Sequence, residues 1–140
     1  MELADTTAWS WSRRAVDSDL REEFNTLLVD GEIAICDMVT LELLHSSRNA
    51  DEFQQLLEDL EALPRCPIGE AEWKRALRVY GELAKQGGAH QRSVKHPDLL
   101  IAATAEAAEI PVLHYDEDYE RIADITGQPH RWLAPKGSLG

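Results

Sequence analysis

Residues 96–107 read HPDLLIAATAEA, and residues 110–118, close behind, read IPVLHYDED. Five consecutive residues of the first stretch, Leu99 to Ala103, carry no polar side chain, which predicts a buried segment. The run PVLHY has the look of a short strand, and it ends in acids. A buried helix feeding a buried strand is the unit from which parallel α/β sheets are built. Asp98 stands where the chain enters that core. It is either a helix cap, accepting a backbone N–H, or a carboxylate buried for its chemistry. Deciding between them requires knowing whether other acids reach the same place.

Working outward, the same alternation recurs. MELAD is a short apolar start ending at Asp5, and Thr6 and Thr7 behind it are good helix caps. A helix is predicted over Ser18–Val29, closing near Asp30-Gly31, and Ile33 to Cys36 form a brief buried strand. Asp37 is placed to cap the helix MVTLELLHSS. Phe53, Leu56, Leu57, Leu60 and Leu63 fall at helical spacing until Pro64 ends the run. In GEAEWKRALRVYGELAKQGG, Trp73, Leu77, Tyr80 and Ala84 form an apolar stripe, closed by Gly87-Gly88. EDYERIADITG reads as a last helix and HRWLAP as a last strand. The pattern predicts one domain over residues 1–140, a three-layer α/β/α sandwich around a mostly parallel sheet.

Bulk properties narrow the class. No uncharged apolar run approaches the roughly 20 residues of a membrane span, and the N-terminus lacks a basic flank followed by an apolar run. Cys36 and Cys66 show no metal-type spacing and read as reduced, buried thiols of a cytoplasmic protein. The net charge of −12 argues against a general polyanion binder. It is unevenly spread: residues 1–70 hold sixteen acids and five bases, residues 71–140 ten acids and nine bases. Lys74, Arg75, Arg78, Lys85, Arg92 and Lys95 form a basic strip that is either a solvated helix face or a local phosphate guide.

In open parallel sheets ligands bind beyond the carboxyl ends of the strands. Asp5 ends the first strand, Asp116 and Asp118 follow the PVLHY strand, Asp98 opens the buried helix, and Glu42 sits among leucines in the helix after the second strand. Singly, each has a plainer reading as a cap, a turn acid or a solvated side chain. Acids from separate segments gathered at one sheet edge repel each other, and Mg²⁺ or Mn²⁺, which take oxygen ligands, relieve that conflict.

The segments ADTTAW, TLELLHSSRN, HPDLLIAATAEA and VLHYDEDYERIA, in this order and spacing, resemble a PIN domain, and within that superfamily a VapC-type toxin ribonuclease of toxin–antitoxin pairs. The resemblance implies that Asp5, Glu42, Asp98 and Asp116 bind one or two Mg²⁺ or Mn²⁺ ions, with Asp118 a further ligand and Thr6 a hydrogen-bonding residue within the site. It implies metal-dependent hydrolysis of RNA, tRNA or rRNA, with water as nucleophile, and therefore 5′-phosphate and 3′-hydroxyl ends. It implies a homodimer held in check by a VapB-type antitoxin whose basic tail enters the acidic cleft. Arg92 and Lys95 are then expected to hold the RNA backbone. Trp9 and Trp11 are expected to stack on unpaired bases, to pack internally or to form a dimer contact.

The competing reading is a catalytically idle module whose acids dock a basic peptide. A phospho-acceptor domain fits poorly, because Asp5 stands alone in its motif. Zinc chemistry lacks a paired-histidine spacing, and a serine hydrolase lacks its G-x-S-x-G elbow.

Overall fold

The structure, a computed structural model, describes residues 1–14, 18–88 and 90–139. Its strands are β1 (Glu2–Ala4), β2 (Ile33–Ala34), β3 (Val112–His114) and β4 (His130–Trp132). They form one sheet in the order β2-β1-β3-β4, every neighbouring pair parallel. Leu3 lies level with Ala34 on one side and Val112 on the other, so β1 is central. Beyond β2, Ile35 bridges to Arg65 and extends the edge by one residue pair.

The helices are α1 (Thr6–Arg14), α2 (Ser18–Val29), α3 (Asp37–Leu44), α4 (Ala50–Glu61), α5 (Glu70–Lys85), α6 (His90–Ser93), α7 (His96–Ala107) and α8 (Asp118–Thr126). The step from β1 to β2 runs one way across the sheet, and the steps to β3 and β4 run the other. Right-handed crossovers therefore place the intervening helices on opposite faces. On one side α1 packs on α2, and on the other α5, α7 and α8 pack together. This is the sandwich that the alternation predicts. The reversal of direction between β1 and β3 opens a crevice at their carboxyl ends.

Leu3, Ile33, Ile35, Val112 and Leu113 are fully buried between the layers, and so is the stretch Leu99–Ala105 of α7. That burial on all sides accounts for the unbroken apolar run in HPDLLIAATA. Gly31 takes a φ of 72° in the turn before β2, a left-handed conformation costly for other residues.

Two expectations need correction. Asp37 does not cap α3: the cap position is Cys36, and Asp37 lies one residue inside, paired with Arg65. On α5 the buried stripe is Ala76, Val79 and Leu83, whereas Trp73 and Leu77 are 56% and 68% exposed. Both sets have helical spacing, so periodicity alone could not tell which one is buried. Of the readings open for Trp9, internal packing is the one found: it is buried, its ring 5.1 Å edge-on from Phe24. The half-exposed Trp11 instead meets Tyr115 edge-on at 5.4 Å.

The basic strip is largely neutralised within the protein. Arg75 forms a two-point pair with Glu106 of α7 (2.7 and 3.1 Å), Lys74 meets Glu70 and Lys85 meets Glu82. Arg92 is exposed on α6.

The reassigned stripe is testable by urea unfolding. Leu83→Ala should cost about 2–5 kcal/mol, as expected for a buried leucine. Leu77→Ala should stay within about 0.5 kcal/mol of wild type.

Candidate active site

Residue by residue, the chain brings its acids to the crevice beyond β1 and β3. Asp5 follows β1 directly and is 1% exposed. Its Oδ1 accepts hydrogen bonds from the Thr7 hydroxyl (2.7 Å) and the Ala8 N–H (2.9 Å), which tie the carboxylate to the first turn of α1. The Thr7 oxygen also accepts from the Tyr115 N–H (2.8 Å), locking the end of β1 to the loop after β3. Asp5 Oδ2 is buried with no donor against it. Burial pushes the Asp5 carboxyl up to about 6, against the opposing pull of its Thr7 and Ala8 bonds.

Asp98 is the third residue of α7 and does not cap it. It is 6% exposed, and its Oδ1 accepts from the Tyr119 hydroxyl at 3.2 Å, while its Oδ2 has no donor. One carboxylate oxygen from each of Asp98, Asp116 and Asp118 lies within 4.8 Å of the other two. Burial, then the neighbouring Asp118, Asp5 and Asp116, hold Asp98 far above the ordinary carboxylate range. Asp118 is held low although burial opposes it, first by the hydrogen bond with Asp98 and then by Lys95, which bonds it through both backbone and side chain. Of this adjacent pair, the proton belongs to Asp98.

Asp116 is set by two backbone bonds. Its own N–H donates to His114 Nδ1 (3.1 Å), and its Oδ1 accepts from the Asp118 N–H (2.9 Å). A backbone N–H can only donate, so His114 carries its proton on Nε2 and donates it to His130 Nδ1 at 2.8 Å. Burial holds the His114 imidazole down to about 3, and His130 adds to the effect. This neutral ring, fully buried against Tyr119 and Trp132, pins the turn that carries Asp116.

Lys95 reaches into the group. Its Nζ lies 2.7 Å from Asp116 Oδ2, 2.9 Å from Asp118 Oδ2 and 3.7 Å from Asp98 Oδ2. The Lys95 N–H donates to the same Asp118 oxygen at 3.0 Å, and Arg121 meets the other at 3.1 Å. Asp118 is thus an integral member of the cluster.

Glu42 is not one of the three carboxylates that converge. It is half-buried on α3 and accepts from the Thr6 hydroxyl at 2.7 Å. It lines the wall of a 410 Å³ cleft together with Arg13, Arg14 and His45. Sequence reasoning missed Tyr119, Thr7 and His114 as supports of the acids. Thr7 beside Asp5 and Tyr119 beside Asp118 are adjacent in sequence to the acids, and that adjacency is the available signal.

The buried oxygens of Asp5 and Asp98 that lack donors, beside converging carboxylates, are the donor set a hard divalent cation takes. The sequence profile of the PIN domain matches residues 3–125, and the chain belongs to that family. More narrowly, it belongs among the VapC ribonucleases. It is 43% identical over 135 residues to Ribonuclease VapC18 of Mycobacterium tuberculosis, covering 96% of each chain. It is 38% identical over 120 residues to Ribonuclease VapC51 of the same species, covering 86% of this chain and 85% of that one. In fold it is similar to a chain of the DNA-bound VapBC of Salmonella typhimurium, with a TM-score of 0.70, 19% identity, and coverage of 96% and 100%. It is also similar to a chain of VapBC-1 from nontypeable Haemophilus influenzae, with a TM-score of 0.71, 18% identity, and coverage of 94% and 97%.

The protonation pattern gives a signed prediction. A carboxyl raised above its unfolded value adds stability that is lost as pH climbs toward its folded value. The depressed His114 works in the opposite direction, but its contribution is nearly complete by about pH 7, just above the ordinary histidine value. In EDTA, the urea midpoint should therefore fall as pH is raised from about 7 to about 8.5. Asp98→Asn, which cannot ionise, should flatten that fall.

Proposed function

We propose that the chain is a Mg²⁺- or Mn²⁺-dependent endoribonuclease toxin, one catalytic domain over residues 1–140, that hydrolyses phosphodiester bonds of tRNA or rRNA in the cytoplasm. The observation that carries this is the convergence of Asp98, Asp116 and Asp118 beside unpartnered buried oxygens of Asp5 and Asp98. In this reading Asp5, Asp98 and Asp116 hold one or two cations, with Asp118 as a further ligand and Glu42 completing the wall. A bound cation of this kind lowers the pKa of a water and offsets charge on the scissile phosphate. The protein's own share is to keep the carboxylates in place. Thr7 orients Asp5, Tyr119 donates to Asp98, and Thr6 fixes Glu42. To serve as a ligand Asp98 would have to give up its proton, since only the carboxylate ligates. Arg92, exposed on α6, and Lys95, when its ammonium is off the carboxylates, would hold the RNA backbone.

Its relatives carry the name VapC and its structural neighbours come from VapBC complexes. A VapB-type antitoxin is accordingly the proposed inhibitor, its basic segment drawn by the acidic cleft, and a homodimer is the proposed assembly. No helix among the described residues is long and apolar enough to cross a membrane, and the buried, free Cys36 and Cys66 suit a reducing compartment.

Purified protein freed of antitoxin should cut cellular RNA at discrete sites in Mg²⁺ or Mn²⁺ and not in EDTA. Mapped ends should carry 5′-phosphates and 3′-hydroxyls. A 2′-deoxy substitution at the scissile nucleotide should be tolerated, because water and not the ribose hydroxyl attacks. Asp98→Asn should lower cleavage at least about a hundredfold. Folded protein that binds Mn²⁺ but leaves RNA intact would favour the docking module instead.

A further inference from the structure

In this structure the Lys95 ammonium lies on the site's carboxylates, a position that neither phosphate contact nor helix capping accounts for. As the cap residue of α7, Lys95 makes no side-chain capping bond. Its ammonium sits 2.7 and 2.9 Å from Oδ2 of Asp116 and Asp118, and 3.7 Å from Oδ2 of Asp98. A cation bound by these oxygens, at about 2.0–2.6 Å from each, would fall on nearly the same point. The two positive charges exclude one another there both sterically and by Coulomb repulsion.

The ammonium is also not needed to hold Asp118, which accepts from the Lys95 N–H and from Arg121 as well. Nor does it complete the site, since the buried Oδ2 atoms of Asp5 and Asp98 still lack a hydrogen-bond donor. Its stem is free to leave, with 60% of the side-chain surface exposed, while the backbone N–H can keep Asp118 oriented after the side chain swings out.

We propose that the Lys95 ammonium competes with the divalent cation for the oxygens of Asp116 and Asp118. Ion binding then requires the lysine to move out, and Lys95 sets the metal affinity of the site. This inference rests on the metal-dependent nuclease reading. It gives Lys95 two positions: on the carboxylates without the cation, and at the mouth of the crevice, toward the phosphates, with it.

The test is Mn²⁺ titration by calorimetry on antitoxin-free, EDTA-stripped protein, comparing wild type with Lys95→Met, which removes the charge and keeps the stem. The variant should bind Mn²⁺ about tenfold tighter, and Mn²⁺ should raise its melting temperature more than that of wild type. On wild type alone, acetylation of Lys95 by acetic anhydride, followed by mass spectrometry, should accelerate severalfold on adding Mn²⁺, while exposed Lys74 and Lys85 should not respond. Equal or weaker Mn²⁺ binding by the variant would overturn the competition, as would unchanged acetylation of wild type at saturating Mn²⁺. If neither protein bound Mn²⁺, the metal-dependent reading itself would fall, and this inference with it.

Discussion

Mutual repulsion among carboxylates is the constraint around which this molecule is arranged. Asp98, Asp116 and Asp118 share one small volume, with Asp5 beside them, and Asp5, Asp98 and Asp118 are nearly excluded from water. Burial weakens screening, so each added negative charge costs more there than at the surface. The protein answers in two ways. It keeps a proton on Asp98, and it surrounds the group with donors: the Thr7 and Tyr119 hydroxyls, the backbone N–H groups of Ala8, Lys95 and Asp118, and the cations of Lys95 and Arg121. What remains unsatisfied is confined to single oxygens of Asp5 and Asp98.

The supports reach further than the acids. His114 is fully buried, neutral, and fixed in one tautomer between the Asp116 N–H and His130. It couples the end of β3 to β4 through a side chain and not through the sheet ladder alone. Thr7 does the corresponding work between β1 and the loop after β3. Both sit where the strand order reverses, the point at which a parallel sheet leaves room for a ligand. The fold and the site are therefore one problem: the short strands bring the acids within reach, and side-chain bonds set their final positions.

Much of the site was legible because its acids mark element boundaries. Asp5, Asp98 and Asp116 fall at a strand end, a buried helix start and a second strand end, and those boundaries follow from local hydrophobic patterning. Other features depend on which face meets which neighbour. On α5, Trp73 and Leu77 have the spacing of a core stripe yet remain exposed, because the face that α5 buries carries Ala76, Val79 and Leu83. Arg75 reads as part of a basic strip, but it bonds Glu106, thirty-one residues away, across the same packing.

The sequence by itself determined the alternation of strands and helices, the buried status of α7, and the acids available at the sheet's carboxyl edge, since each depends on local apolar periodicity and turn chemistry. Only the tertiary structure decided how those acids are shared. It brought Asp118 fully into the cluster, left Glu42 on a neighbouring wall tied to Thr6, and turned the Lys95 ammonium inward onto Asp116. The reason is physical: a side chain's direction, and the charge it meets, are set by the packing of segments far apart in sequence.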